Sequence, residues 1–429
     1  MRIVYLCHFS NQIVREHLSL KKWKMRNSVF RLLKHSIQTH ADYAVWNTDF
    51  ISEFEKYPDL EFHIVSPHNG MKKSIQSFNV KGINYHFFKD DGNLLYDYMS
   101  AKLNSKEKTN YRSNRQKIKK IIDSIQPDLV VLCGSECTPF AIGVLDVVNT
   151  PIYVFLQSCA NLKKYIDAGI GSDYNRSIER AIFRKAKYFG TRVAEFYEKY
   201  KEINNDALCL SIAFPTHQPV IHNIRKEYDF VFFGRVVKNK GIEDVIKALA
   251  LVSKKYPETK LNIIGQCSPD YRAILENMIH DYSLGSNVVF SPYYEKMDDM
   301  YRQVQKSHYA VLPGITAPLN STVRESMFMR MPTIVYNNNA IEKINTGMQC
   351  LFAARMKDHE DLALKMSFCM GNPNEAMKIA DNAFIYAQEN LSNKQIGEKI
   401  VENIKAIINY TQKGTPIPED LLFQEIKSV

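Results

Sequence analysis

Short runs of β-branched and aromatic residues alternate with longer stretches of helical periodicity along the whole chain, the signature of parallel strands joined by crossover helices. In the first half, residues 3–7, 61–67, 83–88, 128–134 and 152–157 read as strands. Residues 113–125 read as a helix that stops ahead of Pro127. The turn-rich stretch Ala213-Phe214-Pro215-Thr216-His217-Gln218-Pro219 breaks this cycle and predicts a linker. The cycle then restarts, with strands predicted over 229–235, 260–265, 288–290, 309–313 and 333–336, and helices over 242–255, 271–282 and 321–331. Residues 393–413 predict one long amphipathic helix with Ile396, Ile400, Ile404 and Ile407 on a single face, which needs another surface to cover it. The pattern thus predicts an α/β chain of two doubly wound domains, 1–212 and 213–392, followed by a C-terminal helix and tail, 393–429. Open sheets of this kind bind ligands outside the carboxyl ends of their strands, so two such domains are expected to face one another across a central cleft.

A length of 429 residues with 45% hydrophobic content agrees with two folded domains. The eight cysteines form no Cys-x-x-Cys pair, so neither a zinc site nor a disulfide framework is expected. No apolar run approaches the roughly 18 residues a membrane span needs, and Met1 leads directly into the strand-like Arg2-Ile3-Val4-Tyr5-Leu6-Cys7 rather than a signal peptide. A cytoplasmic protein is the expectation.

The formal charge of +10 favours anionic partners: nucleotide phosphates, acidic headgroups or nucleic acid. One basic cluster, Lys21, Lys22, Lys24, Arg26, Arg31 and Lys34, is interleaved with Trp23 and Phe30. This composition suits an interfacial helix at the inner face of a membrane, and equally the solvated face of an ordinary helix or loop. A second cluster lies between Lys102 and Lys120. No module that reads nucleic acid accompanies either, so nucleic acid is not expected as a partner.

The chemistry concentrates in Phe232-Phe233-Gly234-Arg235-Val236-Val237-Lys238-Asn239-Lys240-Gly241-Ile242. A strand ends at Gly234, a basic loop follows and a helix opens near Ile242, so Arg235 and Lys240 can converge at one strand-end mouth. An arginine fork and a mobile ammonium suit a diphosphate, whose negative charge grows as its bond to a sugar breaks. Taken alone, an Arg-x4-Lys spacing is more often two solvated cations in a turn. Further on, Leu312-Pro313-Gly314-Ile315-Thr316-Ala317-Pro318-Leu319-Asn320-Ser321-Thr322-Val323-Arg324-Glu325 reads as strand, loop and helix start. N–H groups at such a start form an anion site, and Glu325, one turn in, can accept hydrogen bonds from ribose hydroxyls or simply complement the helix dipole.

In order and spacing, the segments Gly234-Arg235…Lys240-Gly241, Lys260-Leu261-Asn262-Ile263-Ile264-Gly265, Asn287-Val288-Val289-Phe290-Ser291-Pro292-Tyr293, Val311-Leu312-Pro313, and Arg324-Glu325-Ser326-Met327…Met331-Pro332-Thr333-Ile334-Val335 resemble the nucleotide-binding domain of glycosyltransferase family 4. The resemblance implies a GT-B fold, with two Rossmann-like domains facing a cleft and the C-terminal helix packing back toward the N-terminal domain. It implies a retaining, metal-independent hexosyltransferase that uses a UDP- or GDP-sugar, needs no further cofactor and has no protein nucleophile. Arg235 and Lys240 then hold the donor diphosphate and Glu325 the ribose. Gly234, Gly265, Pro292, Tyr293, Leu319, Asn320, Ser321 and Thr322 complete the donor site. The acceptor implied is a glycan or a lipid-linked precursor, in surface polysaccharide synthesis such as capsule or lipopolysaccharide.

One departure is plain. The family carries paired glutamates, Glu-x7-Glu, and the first position here is Ala317. Recognition of the donor sugar therefore does not transfer, and a non-catalytic GT-B scaffold or partner subunit stands as the rival reading. A sugar-nucleotide epimerase on the same fold is a third. The first half resembles the family less: its glycine-rich turn is replaced by His8-Phe9-Ser10-Asn11. His8 can hydrogen-bond an acceptor, or the segment is a capping turn with Ser10 or Asn11 as cap. By the strand-end rule Glu136 sits at the same rim, where capping or salt bridging competes with an acceptor contact. Arg192, after the strand-like Tyr188 to Gly190, is placed in the same way.

Overall fold

The computed structural model describes residues 1–21, 43–90, 107, 109–167, 171–292, 294, 296–315 and 319–423. The basic-aromatic segment beyond Lys21, part of the second basic cluster, Tyr293 and Ala317 lie outside the described residues. The chain divides into two units, Met1–Pro215 with Asn393–Val429, and Thr216–Ser392.

The first unit is built on eight strands: β1 (Arg2–Leu6), β2 (Glu61–Pro67), β3 (Ile75–Val80), β4 (Ile83–Phe88), β5 (Leu129–Cys133), β6 (Ile152–Phe155), β7 (Tyr188–Thr191) and β8 (Leu208–Ser211). They lie in the order β3-β4-β2-β1-β5-β6-β7-β8, with every neighbouring pair parallel except β3 and β4. Leu6 stands beside Val65 on one side and Leu132 on the other. A sheet covered on both faces needs apolar residues at successive positions, and β1 supplies them. Ile3 and Tyr5 join a core with Phe50, Phe54 and Phe62, while Val4 and Leu6 join one with Ile118, Ile122 and Ile182.

The helix Arg112–Ile125 ends where Gln126 turns left-handed at φ 50°, its N–H bonded to Ile122 O, directly before Pro127. The long helix Asn393–Lys413 belongs to this unit and lays Ile396, Ile400, Ile404 and Ile407, all at most 4% exposed, into the core with Phe50 and Phe54. Each such side chain contributes about 1.5–3 kcal/mol on burial. Asn403 Nδ2 adds hydrogen bonds of 3.2 Å to the Tyr153 hydroxyl and to Ser211 O.

The second unit carries six parallel strands: β9 (Tyr228–Phe233), β10 (Leu261–Ile264), β11 (Val288–Phe290), β12 (Ser307–Val311), β13 (Thr333–Tyr336) and β14 (Phe352–Ala354). Their order is β11-β10-β9-β12-β13-β14, so the chain winds outward from β9 in one direction and from β12 in the other. That reversal is the topological switch point at which doubly wound sheets bind ligands.

Three strands were not expected from the sequence: β3, β8 and β14. In β3, Gln76, Ser77 and Asn79 break the apolar run, and its turn to β4 is Lys81-Gly82, both at positive φ (50° and 86°) as a tight hairpin requires. The helices expected over 242–255 and 321–331 end earlier, at Val252 and Phe328. The second stops where Arg330 turns to φ 56° ahead of Met331-Pro332.

Candidate active site

In the second unit, glycines allow the strand ends at the switch point to meet. Gly234, just after β9, has φ 118°, and Gly265, just after β10, has φ 146°. A Cβ on Gly265 would stand 1.7 Å from Gly234 O, so only glycine lets these two turns touch. The chain then makes a 3-10 turn over Lys238–Lys240 and reaches Gly241 at φ 76°, where a Cβ would lie 2.3 Å from Pro313 O. The loop after β9 is thereby pressed against the loop after β12, and Ile315 N bonds Asn239 O at 3.0 Å.

This packing joins Lys240 to Asn320. Lys240 Nζ donates to Asn320 Oδ1 at 2.7 Å. Asn320 stands at the N-cap of the helix Ser321–Phe328, yet its side chain makes no capping hydrogen bond. Its oxygen serves the lysine instead. The Lys240 ammonium is half-buried, and its pKa is lowered by burial first and by Arg235 next, with Glu325 pulling it upward. Arg235 and Glu325 therefore both lie within electrostatic reach of Lys240. Arg235 is exposed and, among the described residues, makes no side-chain hydrogen bond or ion pair. Glu325 is buried, 8% exposed, and its Oε1 accepts from Thr216 Oγ1 at 3.4 Å. Thr322 closes the group: its Cγ2 would lie 3.1 Å from a Cβ on Gly234.

Two cations, a helix start without a side-chain cap and a buried carboxylate at one strand-end crevice can hold a dianion beside a hydroxylated ring. Leu319 packs against the second unit's core, Ser321 is exposed at the helix start, and Pro292 is exposed after β11. Beside Pro292, the Arg272 guanidinium carbon stacks 3.2 Å from the Phe290 ring centroid, a cation–π contact across two elements that spacing along the chain does not predict. Among the described residues no group of three or more His, Cys, Asp or Glu could hold a metal ion.

In the first unit the sheet order reverses at the β1–β5 pair, and the loops that follow those strands carry the other candidates. Asn11 is the cap of the helix Gln12–His17, its Oδ1 accepting from Val14 N at 2.9 Å. Ser10 is buried and accepts from the Arg15 guanidinium at 3.2 Å. The capping-turn reading of this segment thus describes Asn11, and both polar side chains are spent within the fold. The His8 ring packs 4.5 Å from the Tyr43 ring and 6.1 Å from that of Phe140. Partial desolvation lowers its pKa, with Asp90 acting in the opposite sense, so the imidazole is neutral at pH 7.

Glu136 neither caps a helix nor forms a salt bridge among the described residues: Cys137 occupies the N-cap of the next helix, and Glu136 Oε2 is enclosed without a hydrogen-bond partner. Its pKa is pushed up to about 7, mainly by burial, partly countered by its own backbone N–H and reinforced by Glu179. Arg192 hydrogen-bonds Ser211 Oγ at 3.2 Å.

Glu179 is the residue that sequence reading missed. Fully buried on the helix Asp173–Lys185, it accepts from Ser135 Oγ (3.1 Å), Ala160 N (3.2 Å), Asn161 N (3.0 Å), Asn161 Nδ2 (2.7 Å) and the Cys159 thiol (3.7 Å). The available signal was an acid set among Ile178, Ile182 and Phe183 on the apolar face of its helix.

Residues 215–385 match the family model for glycosyl transferases group 1. An uncharacterized glycosyltransferase of Haemophilus influenzae is 23% identical over 341 residues, covering 77% of this chain and 90% of that protein. Among solved structures, sucrose-phosphate synthase from Thermosynechococcus elongatus superposes with a TM-score of 0.68 at 12% identity, covering 95% of this chain and 99% of that one. Anabaena Alr3699/HepE, solved in complex with UDP and glucose, does so with a TM-score of 0.65 at 13% identity, covering 95% and 100%. The family match over the segment that holds Arg235, Lys240 and Glu325 places that segment among the glycosyl transferases of group 1, and the shared fold is the two-domain α/β GT-B-like one.

Proposed function

We propose that this protein is a retaining glycosyltransferase that moves a sugar from a UDP- or GDP-sugar to a hydroxyl of a glycan or lipid-linked acceptor, in surface polysaccharide or glycolipid synthesis. The observation that carries the reading is the Lys240–Asn320 hydrogen bond of 2.7 Å, which fixes an ammonium at the switch-point crevice with Arg235 and Glu325 in electrostatic range. Arg235 and Lys240 bind the donor diphosphate, the start of the helix Ser321–Phe328 faces it, and Glu325 accepts from the ribose. Gly265 and Pro292 border the base. Support comes from the group 1 family match and from a structural neighbour that binds UDP and glucose.

In the reaction, the bond from the sugar's anomeric carbon to the donor phosphate oxygen breaks and a bond to the acceptor oxygen forms. The acceptor's proton passes to a donor phosphate oxygen, and the nucleoside diphosphate leaves. Arg235 and Lys240 stabilise the charge that builds on that leaving group, which is where positive charge accelerates the step most. No metal is assigned a role, because these two side chains supply the charge in place.

Calorimetry with UDP and with GDP, paired with a donor screen for nucleotide release in the presence of membrane extract, tests the reading. Binding of one nucleotide with acceptor-dependent release supports it. Absence of binding to both refutes it and favours the scaffold reading, and a new nucleotide-sugar formed without acceptor would identify an epimerase.

A further inference from the structure

The first unit repeats, at the carboxyl end of its own sheet, the device that holds Lys240 in the second. Arg180 Nη1 donates to Asn161 Oδ1 at 2.7 Å, as Lys240 Nζ donates to Asn320 Oδ1 at 2.7 Å. In each case a half-buried cation is fixed by a neutral amide oxygen rather than by a carboxylate. We infer that Arg180, with the exposed Lys163 just beyond Asn161, forms a phosphate-binding subsite, and that the acceptor carries a phosphate group as well as the hydroxyl that receives the sugar. The inference rests on the glycosyltransferase reading for the existence of an acceptor, but its residues lie wholly within the first unit.

The subsite is built from the sheet outward. Strand β6 ends at Phe155 beside β5, and the chain after it passes through Asn161 and the short helix Lys163–Asp167 before the helix Asp173–Lys185. Asn161, 4% exposed, is locked in place: its backbone N and its Nδ2 donate to Glu179 Oε2 at 3.0 and 2.7 Å, and Nδ2 donates also to Arg176 O at 3.1 Å. With the amide nitrogen engaged on that side, Oδ1 is turned toward Arg180. The guanidinium is thus held in one place and keeps N–H groups beyond the one given to Asn161. Asp173 lies within electrostatic reach of Arg180 but is engaged by Arg176 at 2.6 Å, and Arg180 itself forms no ion pair among the described residues. By contrast Lys185, on the last turn of the same helix, is spent on Leu145 O and Val147 O, both at 2.6 Å.

A guanidinium stays charged throughout the working range of a protein, and its planar fork meets two phosphate oxygens at once. A neutral partner fixes its direction without cancelling its charge, which is what an anion site requires and a structural ion pair does not provide. Lys163, exposed and without an ion pair among the described residues, adds a second positive charge beside Asn161. Two cations suit a phosphate dianion better than a singly charged carboxylate. Gln157 and Ser158, part-exposed after β6, make no side-chain hydrogen bond among the described residues and are left for sugar hydroxyls. Two sources offer this chemistry, a soluble sugar phosphate and the phosphate of a lipid-linked glycan.

Calorimetry on the full chain tests this, with the donor site filled by excess UDP so that phosphate probes are kept off Arg235 and Lys240. The probes are the 6-phosphates of glucose, mannose and fructose for the soluble source and farnesyl diphosphate for the lipid source, with methyl glucoside and glucuronate as uncharged and carboxylate controls. The expected result is binding of at least one phosphorylated probe, weakened about 10–100-fold in Arg180→Gln and about threefold in Lys163→Ala. Arg184→Gln, exposed near the far end of the same helix, is expected to bind as the wild type does. Arg180→Lys keeps the charge but loses the fork, and should fall between wild type and Arg180→Gln; with Lys163→Ala it carries the test should Arg180→Gln not fold. Hexose phosphates bound alone identify a soluble acceptor and farnesyl diphosphate bound alone a lipid-linked one, and either result supports the subsite. Affinities indifferent to both Arg180→Gln and Lys163→Ala, no binding of any phosphorylated probe, or glucuronate bound as tightly as the phosphates, overturns the inference. UDP bound normally without phosphate binding sinks this inference alone. Absent UDP binding counts against the donor reading, and the Arg180 effect is then read without UDP.

Discussion

Lys240 and Asn320, eighty residues apart, meet through a 2.7 Å hydrogen bond in which the lysine takes the side-chain oxygen that would otherwise cap a helix. Two consequences follow from one contact. The ammonium is held in a half-buried position where its charge is poorly screened, and the N–H groups opening the helix Ser321–Phe328 have no side-chain cap. Both features favour an anion at the same place.

Lys240→Ala and Arg235→Ala are each expected to lower turnover by about 10²–10³-fold, the range for removing one preorganised donor to a developing negative charge. Asn320→Ala leaves the ammonium in place but unguided and is expected to cost about tenfold. Nucleotide release measures all three, and unchanged near-ultraviolet circular dichroism shows that the fold survives. Near-wild-type rates in both cation variants would remove the diphosphate assignment.

The pH dependence of donor binding follows from the lysine. Burial and Arg235 lower the Lys240 pKa, so its charge is lost at a lower pH than that of a solvated lysine. A diphosphate prefers the protonated form. Affinity for UDP is therefore full below the Lys240 pKa and falls as pH rises through it. In Lys240→Arg, whose guanidinium stays charged, the alkaline fall is expected to recede. Calorimetric titrations across the alkaline range decide, and identical limbs in the two proteins would assign the fall to another group.

The residues that make these arguments were not equally legible in the sequence. Strands buried on both faces, such as β1 and β5, announce themselves as unbroken apolar runs, and β2 and β4 fall where the pattern puts them. The strand β3 escaped because none of its positions is fully buried and polar residues interrupt it, and β8 and β14 because four and three residues carry too little periodicity. Arg235 and Lys240 could be paired from spacing along one loop. The Lys240–Asn320 contact and the Glu179 network could not, since each joins residues that only the winding of the sheet brings together. Glu136 shows the limit from the other side: a cap or a salt bridge is the ordinary expectation for an acid at a strand end, and among the described residues it makes neither, because its burial is invisible in a single sequence.

Gly241 sits where two constraints coincide, a φ of 76° and an approach of 2.3 Å between a would-be Cβ and Pro313 O. Gly241→Ala must either strain the backbone or part the loops after β9 and β12, at a cost of about 1–3 kcal/mol. Moving Pro313 also displaces the lysine from Asn320, so donor affinity is expected to fall together with thermal stability. Gly285→Ala, where a Cβ meets nothing within 4 Å and no left-handed φ is required, serves as the control and is expected to leave both unchanged. A Gly241→Ala protein with a wild-type melting temperature would show that these loops yield freely.

The C-terminal helix is expected to be indispensable to the first unit's stability. Ile404 is fully buried in the core that also holds Tyr5, Phe50 and Phe155, and removing its methyl groups leaves a cavity that close-packed neighbours fill only in part. Ile404→Ala should cost about 2–5 kcal/mol, whereas Lys394→Ala, on the exposed face of the same helix, should stay within about 0.5 kcal/mol. Close packing makes the opposite change costly as well. A Cβ on Gly397 would stand 2.9 Å from Glu53 Cβ, so Gly397→Val is expected to push the helix off the segment Val45–Phe54 and destabilise the unit by about 1–3 kcal/mol. Denaturant unfolding of the three variants checks the set. If Ile404→Ala and Lys394→Ala unfold at the same midpoint, the helix adds no packing energy and its five buried isoleucines need another explanation.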